Sequence, residues 1–213
     1  MGFDKLFAPL GGTSVIAQTV GAFAQAACVD EIILVGREDR VVDLQELVRQ
    51  SDLKKVRHVI PGGKRRQDSV LAGLDHIAPQ ADHVAVHDAA RPLITSVQIE
   101  RLLEACRVHG AAVLAEPITD TVKRGDEEGF VSGGVDRSGL YAMQTPQLFS
   151  RDLLVRAYQR VVAEGLSVTD EVSAVEYLGA KVRLVTNDEF NIKITYPRDL
   201  VLAESLLARR RAR

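Results

Sequence analysis

Glycine, basic and hydroxyl residues gather immediately after an apolar run at residues 56–60. Gly62 and Gly63 are followed by three cations, and Ser69 stands where a helical pattern begins. Glycines let a backbone approach a ligand closely, and cations and a hydroxyl at the start of a helix suit a nucleotide phosphate or a sugar. A solvated basic turn is the alternative that this stretch alone leaves open.

A second polar group follows the apolar run at residues 84–86, where His87, Asp88 and Arg91 stand among small residues. A carboxylate in such a place suits a magnesium ion or a ribose hydroxyl, and an arginine suits a phosphate. A loop closed by a salt bridge between Asp88 and Arg91 is the alternative. We interpret His87 as a structural hydrogen-bonding residue.

Further candidates stand later in the chain. Thr169 precedes two acids at the start of a helical pattern, where a role as helix cap explains it equally well. Lys193 alternates with Ile192 and Ile194, so it points to the opposite face of an extended segment, toward solvent or toward a phosphate. No Ser-His-Asp or Cys-His pair accompanies these groups, which favours phosphate chemistry run by positioning and charge neutralisation over a covalent intermediate.

The elements that must position these residues alternate along the chain. Short β-branched runs at residues 32–35, 56–60, 84–86, 111–115 and 182–185 are separated by stretches of helical period. This alternation predicts a single α/β domain over residues 1–213, with a doubly wound, mostly parallel, Rossmann-like sheet. Ligands of such sheets bind beyond the carboxyl ends of the strands, where the candidate residues lie.

Residues 120–145 break the alternation, with five glycines among β-forming residues and no helical period. The pattern predicts a β-hairpin arm that protrudes from the main sheet. Arms of this kind commonly pair with another subunit, because their apolar residues have little of their own domain to pack against. A flexible surface hairpin is an equally good interpretation of the pattern alone.

Composition argues against several classes of function. The 29 acidic and 27 basic residues nearly balance, so the net charge does not favour binding to nucleic acid or to a membrane. Two cysteines cannot build a disulfide framework, and no apolar run approaches the ~20 residues that cross a bilayer. No signal-peptide pattern opens the sequence, so we expect a cytoplasmic protein.

The stretches GGKRRQDSVLAGL, VAVHDAARP, TDTVKR, VDRSGLYAMQTPQLF, VTDEVSAVEYLGAKV and NIKITYPRDLVLAE resemble, in the same order, those of the 2-C-methyl-D-erythritol 4-phosphate cytidylyltransferases. The resemblance runs from about Asp4 to near the C-terminus. It implies that CTP and methylerythritol phosphate react to give the cytidine diphosphate adduct and pyrophosphate. Magnesium would neutralise the triphosphate, and the arm would be exchanged across a homodimer.

The resemblance also implies roles for individual residues. Lys5 matches the lysine that stabilises charge in the transition state, and Lys193 the lysine that positions the attacking phosphate. The remaining matches are nucleotide contacts at Gly63, Ser69 and Asp88, contacts to the methylerythritol phosphate at Arg137 and Thr169, and residues that line the same region at Arg91, Thr121 and Thr145. Arg137 would serve the neighbouring subunit's site.

Two positions depart from the family pattern. The family opens with a strand and a loop of the form Ala-Ala-Gly-x-Gly-x-Arg-Met-Gly, of which Met1 and Gly2 match only the end. We expect that the sequence begins at an internal methionine, the alternative being a degenerate member. Lys64 stands where several members carry an acid near the cytosine. The alternative functions are a ribitol-5-phosphate cytidylyltransferase and a non-catalytic, dimeric nucleotide-binding module.

Overall fold

The computed structural model describes residues 4–212, so Met1 and Gly2, which match the end of the glycine loop, lie outside the described residues. The strands are β1 Pro9–Leu10, β2 Thr13–Ser14, β3 Ile32–Gly36, β4 Val56–Pro61, β5 His83–Val86, β6 Ala111–Pro117, β7 Val122–Gly125, β8 Val131–Val135, β9 Tyr141–Ser150 and β10 Arg183–Thr186. The helices are α1 Val15–Gln25, α2 Val41–Gln50, α3 Arg66–Leu74, α4 Ser96–His109, α5 Arg151–Ala163, α6 Glu171–Glu176 and α7 Pro197–Arg211, with one 3-10 turn at Glu38–Arg40.

The central sheet has four strands in the order β10-β6-β9-β5. β10 pairs with β6 in parallel, whereas β9 is antiparallel to both β6 and β5. Three of these four strands therefore run in one direction and only β9 runs against them. β3 and β4 form a separate parallel pair. The predicted α/β architecture with a mostly parallel sheet is confirmed.

Helices cover both faces of the central sheet. Ala112 and Leu114 of β6 pack with helices α1 and α4, whereas Ala111 and Val113 pack with α5 and α6 on the other side. Successive residues of a strand point to opposite faces, and small or β-branched residues on both faces let helices approach from either side. This arrangement is the doubly wound layering that the strand-helix alternation predicts. None of the helices within residues 4–212 is long and apolar enough to span a bilayer.

Strand β9 is the longest strand that the sequence pattern did not predict, and the two-residue strands β1 and β2 were not predicted either. Its first half, which we assigned to the end of the arm, pairs instead with β6, where Tyr141 lies opposite Pro117 and Met143 opposite Ala115. The strand carries polar residues at buried positions, among them Gln144, and such residues hide the apolar pattern on which the prediction depended. The predicted arm from 120 to 145 is therefore too long at its C-terminal end.

The protruding hairpin itself consists of β7 and β8, which pair in antiparallel fashion. Asp126 closes its turn, because one carboxylate oxygen accepts from the backbone N–H groups of Glu128 and Phe130 at 3.1 and 2.8 Å. Gly129 lies in the left-handed region at φ 89°, which favours glycine. Phe130 and Val131 are 67% and 71% exposed, so the hairpin presents apolar side chains to its surroundings.

Candidate active site

An ion pair between Asp88 and Lys193 lies at the centre of the site. Asp88 follows the carboxyl end of β5, and Lys193 belongs to the irregular segment between β10 and α7. The segment is tied to the loop after β5 by a hydrogen bond from the Ile194 N–H to the Ala90 carbonyl, at 2.8 Å. Lys193 Nζ then lies 2.7 Å from Asp88 Oδ2. Residues more than a hundred positions apart are thus brought together at a strand end.

The Asp88 carboxylate is held in its charged form. Its side chain is 20% exposed, and burial alone would raise its pKa. The hydrogen bond and charge of Lys193, with further charge from Arg66 and Arg91, outweigh burial and lower the pKa below its ordinary value. Asp88 is therefore an anion at neutral pH, which is the form that binds a cation or accepts from a hydroxyl.

Buried amide side chains anchor the loop that carries Asp88. The Asp88 N–H donates to Thr145 Oγ1 at 3.0 Å, and Asn191 Nδ2 donates to the Thr145 carbonyl at 2.8 Å and to Gln144 Oε1 at 3.1 Å. Asn191 is only 2% exposed. We expected Thr145 to line the acceptor region, and its hydroxyl accepts from the backbone N–H of Asp88. Asn191 connects Thr145 to the segment that carries Lys193.

Arg91 also contacts the segment that carries Lys193. Its Nη1 donates to the Asn191 carbonyl at 2.7 Å, whereas Asp88 pairs with Lys193, so the alternative of a loop closed by an Asp88–Arg91 salt bridge is wrong. Arg91 and Lys193 line a cleft of about 500 Å³ whose walls include Glu116 and Phe190. Ligand sites are commonly concave with a few converging polar groups, and this cleft has that character.

A larger groove of about 670 Å³ lies elsewhere, with Ser14, Arg40 and Leu47 in its walls. It contains none of the predicted site residues.

His87 is structural, as the sequence analysis interprets it. A ring nitrogen lies 3.2 Å from the Arg91 carbonyl, and the ring is tilted against Phe23 with centroids 4.8 Å apart. Burial lowers the pKa of His87 to about 4. The imidazole is therefore neutral near pH 7 and adds no charge beside Asp88.

The glycine-rich loop folds back onto the start of α3. The Gly63 N–H donates to Ser69 Oγ at 3.2 Å. A Cβ added at Gly63 would lie 2.3 Å from Asp68 Cβ, and one added at Gly62 would lie 2.5 Å from Ser69 Oγ, so neither position has room for a side chain. The structure therefore brings the two predicted nucleotide contacts, Gly63 and Ser69, together.

Arg66 extends from this loop to two carboxylates. Its Nη1 and Nη2 donate to the Glu171 carboxylate at 2.5 and 2.8 Å, and Nη2 lies 3.8 Å from Asp88 Oδ1. Tyr158 Oη also donates to Glu171, at 3.0 Å. Arg66 is the last of the three cations after Gly63, and Glu171 is the second of the two acids after Thr169.

Thr169 is exposed and does not cap α6. That position belongs to Asp170, whose Oδ1 accepts from the Ser173 N–H at 2.9 Å. The capping explanation of Thr169 is therefore wrong. The Thr169 hydroxyl lies 3.3 Å from Ser173 Oγ at the surface. In the sequence, Thr169 stands two residues before Glu171.

The other predicted residues lie apart from the Asp88–Lys193 pair. Thr121 and Arg137 are exposed on the arm, where Arg137 donates to the Thr119 carbonyl. No hydrogen bond or ion pair within residues 4–212 joins either of them to the pair. Lys5 lies in a turn whose next residue, Leu6, packs in the same apolar cluster as Ala89. Residues next to Lys5 and Asp88 thus share one apolar cluster, and no hydrogen bond or ion pair of the Lys5 side chain is found within residues 4–212.

No group of three or more His, Cys, Asp or Glu side chains comes together in the described part of the chain, so these residues form no all-protein metal cage. Magnesium is commonly bound by one or two carboxylates together with substrate phosphates and water. Asp88, an anion paired with a lysine that lines the cleft, fits that mode of binding.

Comparisons with known proteins agree on one family. The sequence profile described as IspD: 2-C-methyl-D-erythritol 4-phosphate cytidylyltransferase matches residues 1–209. A relative named 2-C-methyl-D-erythritol 4-phosphate cytidylyltransferase, from Dehalococcoides mccartyi, is 41% identical over 210 residues, which cover 99% of this chain and 91% of the relative. Another of the same name, from Symbiobacterium thermophilum, is 42% identical over 206 residues, which cover 97% of this chain and 86% of the relative. The solved structure of 4-diphosphocytidyl-2C-methyl-D-erythritol synthase from Anaerococcus prevotii is similar with a TM-score of 0.83 and 31% identity, over 94% of this chain and 88% of that one.

Proposed function

Because the chain belongs to the 2-C-methyl-D-erythritol 4-phosphate cytidylyltransferase family, we propose that it transfers a cytidylyl group from CTP to 2-C-methyl-D-erythritol 4-phosphate in the synthesis of isoprenoid precursors. The observation that carries the proposal, beside the match over the whole chain, is the ion pair of Asp88 with Lys193, a residue that lines a cleft. A lysine on a mobile stem beside a fixed carboxylate suits the handling of one phosphate next to another.

The reaction joins two polyanions. An oxygen of the acceptor phosphate attacks the α-phosphorus of CTP, a new P–O bond forms, and the bond to pyrophosphate breaks. Lys193 is the residue that orients the attacking phosphate, and Lys5 stabilises the charge that develops on the triphosphate. Fixed cations in a partly dry cleft relieve the mutual repulsion of the phosphates, and they need no covalent intermediate.

Nucleotide and acceptor have separate contacts in this proposal. Gly63 and Ser69 bind the nucleotide through the loop that folds onto α3, and Asp88 is its third contact. Thr169 and Arg137 contact the acceptor phosphate, and Arg91, Thr121 and Thr145 line its region. The exposed hydroxyl of Thr169 and the closeness of Gly63 to Ser69 support these assignments.

Magnesium is the cofactor that we propose, with Asp88 as its carboxylate ligand. When bound, magnesium supplies charge neutralisation of the triphosphate oxygens.

We also propose that the arm pairs with a second copy of the chain. Phe130 and Val131 at its tip are about two-thirds exposed, and Leu140 is 39% exposed at its base. Apolar side chains gathered on a protruding hairpin favour burial against another surface. Arg137 of one copy would then reach the site of the other, which accounts for its place on the arm. The cytoplasmic location stays a prediction.

Release of pyrophosphate tests the proposed function. The chain is mixed with CTP, magnesium and either methylerythritol phosphate or ribitol 5-phosphate, and turnover with the first acceptor is the expected result. Turnover with ribitol 5-phosphate alone would favour the related cytidylyltransferase. If neither acceptor reacts and calorimetry detects no heat of binding for magnesium and CTP, the chain is a non-catalytic module and the proposal is wrong.

A further inference from the structure

Arg66 and Glu171 form a two-pronged ion pair between the two regions of the candidate site. Arg66 is the first residue of α3, directly after the loop with Gly63, and Glu171 is the first residue of α6, two positions after Thr169. The two residues are 105 positions apart in the sequence. Their contact is therefore a direct tertiary link between the loop assigned to the nucleotide and the segment assigned to the acceptor.

The Glu171 carboxylate has a fixed orientation. It is 0% exposed, and it accepts from both Arg66 nitrogens and from the Tyr158 hydroxyl. Its backbone N–H donates to Gln147 Oε1 at 3.1 Å, which anchors the start of α6 on strand β9. A buried carboxylate bound by a planar guanidinium in two places leaves that guanidinium little freedom to rotate.

This orientation affects Asp88, because Arg66 and Lys193 approach its two oxygens. Lys193 Nζ lies 2.7 Å from Oδ2, whereas Arg66 Nη2 lies 3.8 Å from Oδ1. With both terminal nitrogens engaged by Glu171, the arginine stays beyond hydrogen-bond distance of Asp88. Without Glu171, the guanidinium could close on Asp88 and compete with Lys193 for it.

We propose that Glu171 is a positioning residue for the cytidylyl transfer: it holds Arg66 away from Asp88, and it fixes the nucleotide loop relative to Thr169. The inference rests on the proposed function, because the arrangement that Glu171 maintains is the one assigned to that reaction.

The substitution Glu171→Gln tests the proposal, since the amide keeps the shape and loses the charge. We expect kcat with CTP and methylerythritol phosphate to fall about tenfold. Arg66→Lys, which keeps a cation but loses the two-pronged contact, should lower kcat to a similar extent. The double variant should be no slower than the slower single variant, because the two residues act as one unit. A merely structural pair would instead lower the midpoint of thermal unfolding and leave kcat and KM unchanged.

Two further variants keep the result interpretable. Tyr158→Phe removes only the hydroxyl bound to Glu171 and should lower kcat about threefold, so it decides the matter if Glu171→Gln fails to fold. Glu164→Gln, at the C-terminal cap of the helix that carries Tyr158, removes a surface carboxylate that pairs with Arg160 at 2.8 Å and should leave kcat unchanged. Wild-type kcat in folded Glu171→Gln and Tyr158→Phe, or an equal loss in Glu164→Gln, would overturn the inference. No turnover by the unsubstituted chain would instead overturn the proposed function.

Discussion

Replacing Lys193 with alanine should separate catalysis from stability. Lys193 is 46% exposed, and its pair with Asp88, although short at 2.7 Å, lies at the edge of the cleft. An ion pair with that exposure contributes below ~1 kcal/mol to the free energy of unfolding, because water screens it and holding the side chain costs entropy. A single well-placed donor toward developing charge lowers a reaction barrier by about 3 kcal/mol, or roughly a hundredfold in rate. Lys193→Ala should therefore lose about a hundredfold in kcat/KM with little change in unfolding.

The assay measures pyrophosphate release at several concentrations of each substrate, and urea unfolding gives the change in stability. Lys54→Ala is the matched control, because Lys54 is 82% exposed and its pair with Asp52, at 3.3 Å, lies outside the site. Asp88→Asn combined with Lys193→Ala should cost less than the sum of the two single losses, since the residues are in contact. A kcat/KM at the wild-type value in folded Lys193→Ala would refute the role that we assign to this lysine.

Three other perturbations give distinct readouts. Asn191→Ala removes the hydrogen bond that its buried amide donates to Thr145, and urea unfolding should show a loss of about 2 kcal/mol; an unchanged value would contradict the view that this amide supports the loop. Between pH 6.5 and about 4 the free energy of unfolding should fall as pH falls, because the unfolded His87 binds a proton that the buried ring, with its lowered pKa, does not. Over that range the free energy of unfolding should fall by about 3 kcal/mol. His87→Gln should flatten the dependence of the unfolding free energy on pH, measured by urea unfolding at each pH. Arg137→Ala should be nearly inactive alone, yet mixing it with Lys193→Ala should restore roughly a quarter of the activity if the arm serves the neighbouring site; no recovery after subunit exchange would contradict that arrangement.

The sequence was sufficient for the layers of the fold and insufficient for one strand of it. Short β-branched runs such as β6 are apolar on both faces, so their pattern reflects directly how they pack. Strand β9 has Gln144, Thr145 and Gln147 at buried positions, each bonded to a residue distant in sequence. Polar residues become acceptable in a core only after their partners are in place. No local pattern contains that information, and the strand was therefore assigned to the arm.

The candidate site likewise contains residues that a local sequence pattern predicts and one that it does not. Asp88 and Lys193 were predictable as candidates because one follows a strand and the other alternates with apolar neighbours, and the rule that ligands bind at strand ends places such residues together. Glu171 was not, because an acid in the first turn of a helix has an ordinary explanation in the helix dipole. The structure gives the capping position to Asp170 and leaves Glu171 fully buried, facing Arg66.

The carboxylates of Asp88 and Glu171 also explain how so many cations can lie close together. Arg66 and Lys193 approach the loop that carries Asp88, and Arg91 belongs to that loop. Three positive charges without partners would repel one another and turn outward to solvent. Asp88 and Glu171 offset most of that charge in the resting protein, so the cations are already oriented when a polyanion arrives. A preorganised site avoids the cost of reorienting its charges during the reaction. On this argument the two acids determine the geometry of the cations, and removing either carboxylate should impair turnover even though the substrates are themselves negatively charged.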